Sequence, residues 1–239
     1  MAILVAMADG LLYREPQRYP AVVTDRWGRF ETTLVNDGQD FVLLLRGNRF
    51  ESRSVGGFEL VGSPLDGSEP PDLYESDLCS CVIEWRMPVR VAFPNAGPAE
   101  MDLDARLALG DPLPRRGFRV DVVLTLRLPT GDVENAKPHE GHEDMEQALL
   151  DLQRQLPAGV RILACISCAF SDYHPAGWGF IGTMACFRGA KDAYRPVETK
   201  RALFQVWDQR SGFVQETFFC ADYEPRRPGA GYRGWPSFP

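Results

Sequence analysis

The chain has 239 residues, of which 44% are hydrophobic and 11% aromatic, and this composition excludes a largely disordered protein. Its 33 acidic and 26 basic residues give a net charge of -7, which disfavours nucleic acid as a partner. No apolar run approaches the roughly 20 residues that cross a bilayer, and the first residues lack the basic start of a signal peptide. We therefore expect a cytoplasmic protein, with no membrane partner, whose thiols stay reduced.

The first 60 residues favour β-structure. Strands are predicted at 19–24 and 30–34, with a hairpin turn between them that ends at Gly28. Short apolar runs predict two more strands, at 41–45 and 58–61.

The polar segment 62–78 is rich in Ser, Pro, Gly and Asp, which predicts a surface loop. Six acidic residues from Glu59 to Asp77 have no basic residue among them. An acidic cation-binding loop is therefore an alternative, although the spacing of a calcium-binding loop is missing.

The clearest pattern is alternation with a period of two over 81–93, 103–109 and 120–128. Each segment places apolar residues on one face, as expected for a half-buried strand. Pro88 cannot donate a ladder hydrogen bond, so we expect an edge or a bulge there. We predict a mainly β (α+β) fold, built on an antiparallel β-sandwich-like sheet.

Apolar residues recur at helical spacing from Met145 to Leu156, which predicts one amphipathic helix that covers the sheet. A strand is expected to follow at 160–166, and two more at 203–207 and 213–219.

The best place to divide the chain is the loop around residues 130–140. We predict a β-sandwich-like part at 1–135 and a helix plus cysteine-containing β part at 136–239, packed as one unit.

The last third carries four cysteines, and the first pair forms a C-x-x-C knuckle after an apolar run: Cys165, Cys168, Cys186 and Cys220. Four thiolates close a tetrahedral zinc site and leave no position for water, so the sequence predicts a structural zinc ion. The zinc would tie the glycine- and aromatic-rich C-terminal part to the sheet. Buried unliganded thiols, or a redox pair of Cys165 and Cys168, are the alternatives.

Other cysteines and histidines could also bind a metal. Cys81 shares the apolar face of its strand, so we expect Cys79 and Cys81 to be structural rather than a second metal site. His139 and His142 are expected to be solvated, although with Glu140 they could ligate a metal. His174 is a loop histidine, an extra zinc ligand or a general base.

Glu216 shares its predicted strand face with apolar residues, so its carboxylate needs a partner. Arg188 and Arg233 are the candidate partners. Glu216 or His174 would be the acid/base of a possible enzyme, and Asp172 and Arg233 complete the catalytic candidates.

Basic residues are concentrated near the C-terminus of this acidic chain, where arginines can fork onto a carboxylate or phosphate. The predicted binding residues for a small anionic ligand or a partner protein are Tyr173, Arg188, Arg226, Arg227, Tyr232 and Arg233.

Four motifs carry a resemblance: C-I-S-C-A-F-S-D-Y (165–173), G-T-M-A-C-F-R (182–188), V-Q-E-T-F-F-C (214–220) and R-R-P-G-A-G-Y-R-G (226–234). On these residues the chain resembles an uncharacterised bacterial family of unknown function. The resemblance implies cysteines at the four zinc-ligand positions, and it implies no activity.

The sequence thus supports three hypotheses. The first is a zinc-stabilised cytoplasmic binding or accessory protein. The second is an enzyme with a pocket beside the knuckle that acts on an anionic small molecule. The third is an immunity-type partner of a basic protein, which the net charge of -7 would suit.

Overall fold

A computed structural model describes residues 16–37, 40–52, 57–65, 67, 69–114, 117–135, 144–175 and 183–227. The strands are β1 (Gln17–Asp25), β2 (Gly28–Asn36), β3 (Phe41–Leu45), β4 (Asn48–Ser52), β5 (Phe58–Leu60), β6 (Leu73–Tyr74), β7 (Asp77–Leu78), β8 (Cys81–Phe93), β9 (Gly97–Pro112), β10 (Phe118–Leu128), β11 (Gly131–Glu134), β12 (Arg161–Leu163), β13 (Ser171–Tyr173), β14 (Thr183–Cys186) and β15 (Gly212–Gln215). The α-helices are α1 (Met145–Gln155), α2 (Lys191–Tyr194) and α3 (Lys200–Val206). None of the helices in these ranges is long and apolar enough to cross a membrane.

Within the described ranges, twelve strands form one antiparallel sheet that curls into a half-barrel. Its order is β11-β10-β9-β8-β1-β2-β3-β4-β5-β7-β6, and β12 also pairs with β8. The mainly β, antiparallel fold is therefore confirmed.

The inner face of the sheet forms the core because alternate side chains of each strand point the same way. On β8 the inward residues include Ile83, Trp85 and Met87, all 4% exposed or less. Helix α1 covers this face beside β10 and β11, and Asp144 caps it by accepting a hydrogen bond from the backbone N–H of Gln147 at 2.8 Å. The predicted covering helix is thus confirmed.

A gap opens along one side of β8. Strand β1 pairs with β8 only over Val82–Trp85, and β12 pairs with it only over 90–92. Between Trp85 and Arg90, β8 pairs with β9 along one edge. Along its opposite edge, no strand of the described residues pairs with this stretch. Pro88 lies in this gap, which fits the edge position expected for it.

A second sheet, β13-β14-β15, carries the C-terminal part. Beside it, α2 and α3 pack on a separate apolar cluster that includes Phe170, Phe187, Tyr194 and Leu203. The larger core joins both sequence parts, since it contains residues of β8 as well as Ile162, Cys165 and Val214.

Several local predictions are corrected. The strand predicted at 203–207 is helical: 203–206 belong to α3, and Trp207 begins a 3-10 helix. The N-cap of α3, Thr199, accepts a hydrogen bond from the N–H of Ala202. The strand expected at 160–166 is only β12, and a 3-10 helix follows at Cys165–Ser167. The strand expected at 213–219 is β15, which ends at Gln215.

The acidic segment 62–78 is mostly exposed, as expected, but it contains β6 and β7. Two of its carboxylates have basic partners from outside the segment. Asp72 pairs with Arg26 at 3.2 Å, and Glu69 pairs with Arg46 at 3.1 Å.

Candidate functional site

The backbone brings the four cysteine segments together. The N–H of Cys165 donates to the carbonyl of Phe218 at 2.7 Å, two residues before Cys220. Cys168 forms a β-bridge with Pro225. Cys186 is paired with Ser171, which follows the knuckle by three residues. The segments that carry the four cysteines therefore lie close together in the fold.

The thiols themselves are electrostatic neighbours. Burial first, and then the charges of the other three thiols, raise the pKa of Cys165 well above its ordinary value. Burial first, and then the charges of Cys168 and Cys220, raise the pKa of Cys186 to about 11. All four cysteines are free; Cys165, Cys168 and Cys186 are buried, and Cys220 is half-buried.

Two of the sulfur atoms accept hydrogen bonds from backbone amides two residues further along the chain. Phe170 N–H donates to Sγ of Cys168 at 3.5 Å, and the backbone of Arg188 donates to Cys186. The backbone of Glu224 also donates to Cys168. Each bond lowers the pKa of the accepting thiol, because it favours the thiolate over the thiol.

Although the four cysteine segments lie close together, their side chains do not form a set of metal ligands in this structure. In the part of the chain that the structure describes, no group of three or more His, Cys, Asp or Glu side chains has the geometry to hold a metal ion. His139 and His142 lie outside the described residues. Cys79 and Cys81 are buried, and burial raises the pKa of Cys81 to about 12.

Glu216 is 1% exposed, and its Oε1 accepts a hydrogen bond from the hydroxyl of Tyr173. The sequence proposed Arg188 or Arg233 as its partner. Arg233 lies outside the described residues. Arg188 lies near the thiols, where its charge lowers the pKa of Cys165 and Cys186.

Asp172 belongs to a second buried network, since adjacent residues of a strand point to opposite faces. Its Oδ2 accepts a hydrogen bond from the hydroxyl of Tyr194 at 2.8 Å, and its Oδ1 accepts one from the N–H of Tyr173 at 3.0 Å. Burial and the charge of Asp172 raise the pKa of Tyr194. Tyr194 could not be predicted from the sequence, because it belongs to no motif.

Arg226 clamps the loop that follows the knuckle. Its Nε donates to the carbonyl of Cys168 at 3.0 Å, and its Nη2 donates to the carbonyl of Ser171. Arg226 is 8% exposed and Tyr173 is 3% exposed, so neither side chain presents a surface to a ligand. Both are predicted binding residues, and the structure gives both a buried position.

The remaining candidates are dispersed. His174 contacts the rings of Trp207 and Phe204, with centroids 4.8 and 6.2 Å away. Arg227 is exposed. Tyr232 lies outside the described residues. The structure therefore places Glu216, Asp172 and His174 in three separate surroundings.

The outer face of the large sheet has two adjoining hollows that sequence reasoning missed. The outer groove, of about 830 Å³, crosses β1, β8 and β9, where Asp104 forms ion pairs with Arg86 and Arg127 at 2.6 and 2.5 Å. A smaller cleft of about 280 Å³ opens at the gap beside Pro88, and the two share that residue. The sequence signal that could have pointed to this cleft is Pro88, because a proline within an alternating strand marks a place where strand pairing is interrupted.

Comparison with known proteins gives a family and no activity. No curated protein and no solved structure matches the chain. One family model matches residues 17–171, from β1 to the first residue of β13, which includes the C-x-x-C knuckle. Because this match spans more than half of the sequence, the chain belongs to DUF6304, a family of unknown function.

Proposed function

We propose that this chain is a zinc-stabilised binding or accessory protein of the cytoplasm. The observation that carries the proposal is the convergence of four cysteines from segments that lie up to 55 positions apart, from Cys165 to Cys220. Their thiols lie close enough to raise one another's pKa. Such a cluster of reduced thiols in a cytoplasmic protein is typical of a metal site.

The donor set suits zinc. Four sulfur ligands complete a tetrahedral sphere, so the ion would be structural and would leave no position for a reacting water. Burial disfavours the charged thiolates, and a bound cation would offset this cost. The backbone amides of Phe170, Arg188 and Glu224 donate hydrogen bonds to the sulfur atoms and so stabilise their negative charge. Binding requires the four thiol side chains to rotate towards one centre.

Binding is a better proposal than catalysis because the acid/base candidates are used internally. Glu216 accepts from Tyr173, and Asp172 accepts from Tyr194. Neither the outer groove nor the smaller cleft is lined by Glu216, Asp172 or His174. Pairing of this kind supports folding, whereas a catalytic carboxylate must reach a substrate.

Elemental analysis of the purified chain tests the proposal. We expect about one zinc per chain, and loss of that zinc in Cys165→Ser and Cys168→Ser. Because zinc binding contributes to folding, both variants should also expose the C-terminal part to proteolysis. The matched control is Cys81→Ser, a buried thiol of β8 outside the cluster, which should keep its zinc.

Two results would refute the proposal. One is wild-type protein that contains no stoichiometric metal after purification without chelator and after incubation with zinc. The other is a Cys165→Ser variant that binds as much zinc as the wild type.

A further inference from the structure

The gap along β8 is partly closed by the segment Thr217–Phe219. The Thr217 hydroxyl lies 3.7 Å from Sδ of Met87, which points into the core. Two residues later, the ring of Phe219 lies beside the guanidinium of Arg90, with Cζ 6.0 Å from the ring centroid. The segment thus runs along the gap, and the 280 Å³ cleft lies between it and the sheet.

This wall of the cleft is fixed by the cysteine cluster. Phe218, in the middle of the segment, accepts the hydrogen bond from the N–H of Cys165, and Cys220 follows directly. A metal ion bound by these cysteines would therefore hold the segment Thr217–Phe219 at Phe218, through Cys165, and at its end, through Cys220. The opposite wall belongs to β1 and β8, where Tyr19 and Pro88 contribute apolar surface.

Arg90 gives the cleft its positive charge. Among the described residues its guanidinium makes no ion pair, and its Nε is buried without a hydrogen-bond partner. A buried donor that stays unsatisfied destabilises the protein, so an acceptor in the cleft would remove that penalty. The planar fork of arginine matches both oxygens of a carboxylate.

The surroundings of Arg90 restrict the size and charge of the acceptor. Glu100 is the cross-strand partner of Arg90 and also lines the cleft, so a dianion such as phosphate would meet repulsion there. A monocarboxylate carries a single charge that Arg90 can balance. The rings of Tyr19, Phe218 and Phe219 offer contact to an apolar body. The volume of about 280 Å³ lies just below the usual range for small-molecule sites, about 300 Å³ upward, so the ligand must be small.

We propose that this cleft binds a small monocarboxylic acid with an apolar or aromatic body. Arg90 holds the carboxylate, Thr217 lines the same cleft, and Phe219 packs on the ligand and on Arg90. The inference rests on the proposed binding function and names its site and ligand class. It does not require that the cysteine cluster hold zinc.

Benzoate is the probe, titrated by calorimetry into the 239-residue chain, and the metal content of each protein sample is measured. We expect saturable binding of benzoate, and binding at least about tenfold weaker for neutral benzamide, which cannot form the charge-assisted fork. Phosphate at equal ionic strength should not compete.

Arg90→Gln should weaken benzoate binding at least about tenfold while the zinc content stays unchanged. The matched control is Arg86→Gln, on the same strand and the same outer face, whose arginine is already paired with Asp104. This control should bind benzoate like the wild type.

The proposal fails if the wild type binds no benzoate, if benzamide binds as tightly, or if Arg90→Gln binds as tightly as the wild type. The benzamide comparison uses only the wild type, so it decides even when Arg90→Gln does not fold. If the wild type contains zinc but binds no benzoate, the cleft proposal fails and the zinc proposal stands.

Discussion

The hydroxyl of Tyr173 donates a hydrogen bond to Oε1 of Glu216, and the two residues are 3% and 1% exposed. Tyr173 lies on β13, and Glu216 directly follows β15. A buried carboxylate needs such a donor because it has left the solvation of water. The pair therefore connects the two outer strands of the small sheet and gives Glu216 a structural role.

Tyr173→Phe removes this donor and keeps the ring. We expect a loss of about 2 kcal/mol in the free energy of unfolding, since hydrogen bonds to charged groups contribute roughly 1.5–3 kcal/mol. Urea denaturation measures it. The matched control is Tyr223→Phe, whose hydroxyl lies 3.0 Å from the neutral Oγ of Ser167 and should cost only about 1 kcal/mol. A Tyr173→Phe chain as stable as the wild type would contradict a structural role for the pair.

Arg226→Lys keeps the positive charge and removes the fork that holds the carbonyls of Cys168 and Ser171. We expect about 2–3 kcal/mol of destabilisation, because a lysine amine cannot reproduce both bonds in their geometry. Thermal and urea unfolding both report it. The neighbouring Arg227 is exposed, so Arg227→Lys should change stability by less than about 0.5 kcal/mol. Equal stabilities for the two variants would show that the clamp is dispensable.

The raised pKa of Cys186 predicts how stability depends on alkaline pH. Its pKa rises from 9.0 to about 11, so the folded metal-free chain holds this proton more tightly than the unfolded chain. The resulting stabilisation is complete below pH 9 and is lost as the pH rises through 11. We expect a loss on the order of 2 kcal/mol across this window, measured by urea unfolding in chelator.

The control for this pH dependence is Cys186→Ala, which removes the titrating thiol. Buried tyrosines such as Tyr194, whose pKa is also raised, contribute a slope of the same sign in both chains. The difference between the two slopes therefore reports Cys186 together with its effect on the pKa of Cys165. Identical slopes would contradict a raised pKa for this thiol.

Gly159→Ala tests the turn between α1 and β12. Gly159 has a φ of 79°, and an added Cβ would lie 2.6 Å from Cγ of Pro94. We expect a loss of more than about 1 kcal/mol from the strain and the clash together. Gly28→Ala is the control, because its φ of 108° imposes strain with no atom within 4 Å of the added Cβ. Calorimetric unfolding that ranks Gly28→Ala as the more damaging change would refute this account.

The regular parts of the fold could be predicted because their patterns are local. Alternation along β8, β9 and β10 identified three long strands, and helical spacing identified α1. The strand predicted at 203–207 failed because the segment is short and its burial is carried mainly by Leu203. The N-cap at Thr199 was the signal that pointed to a helix.

The site could be predicted only in part. The C-x-x-C spacing pointed to the cysteine cluster, and the backbone does bring the four segments together. The partner of Glu216 could not be found, since Tyr173 lies 43 positions earlier and nothing local connects them. The cleft beside Arg90 depends on where β1 stops pairing with β8, which is a property of the whole sheet.

The proline in the gap has a consequence for how molecules of this protein meet. A stretch of strand without a neighbour is a template on which another chain can add and start an aggregate. Pro88 lacks an N–H, so an intruding strand would find one donor fewer at that point. The same interruption that leaves room for a small molecule therefore also guards the open stretch of β8 against self-association.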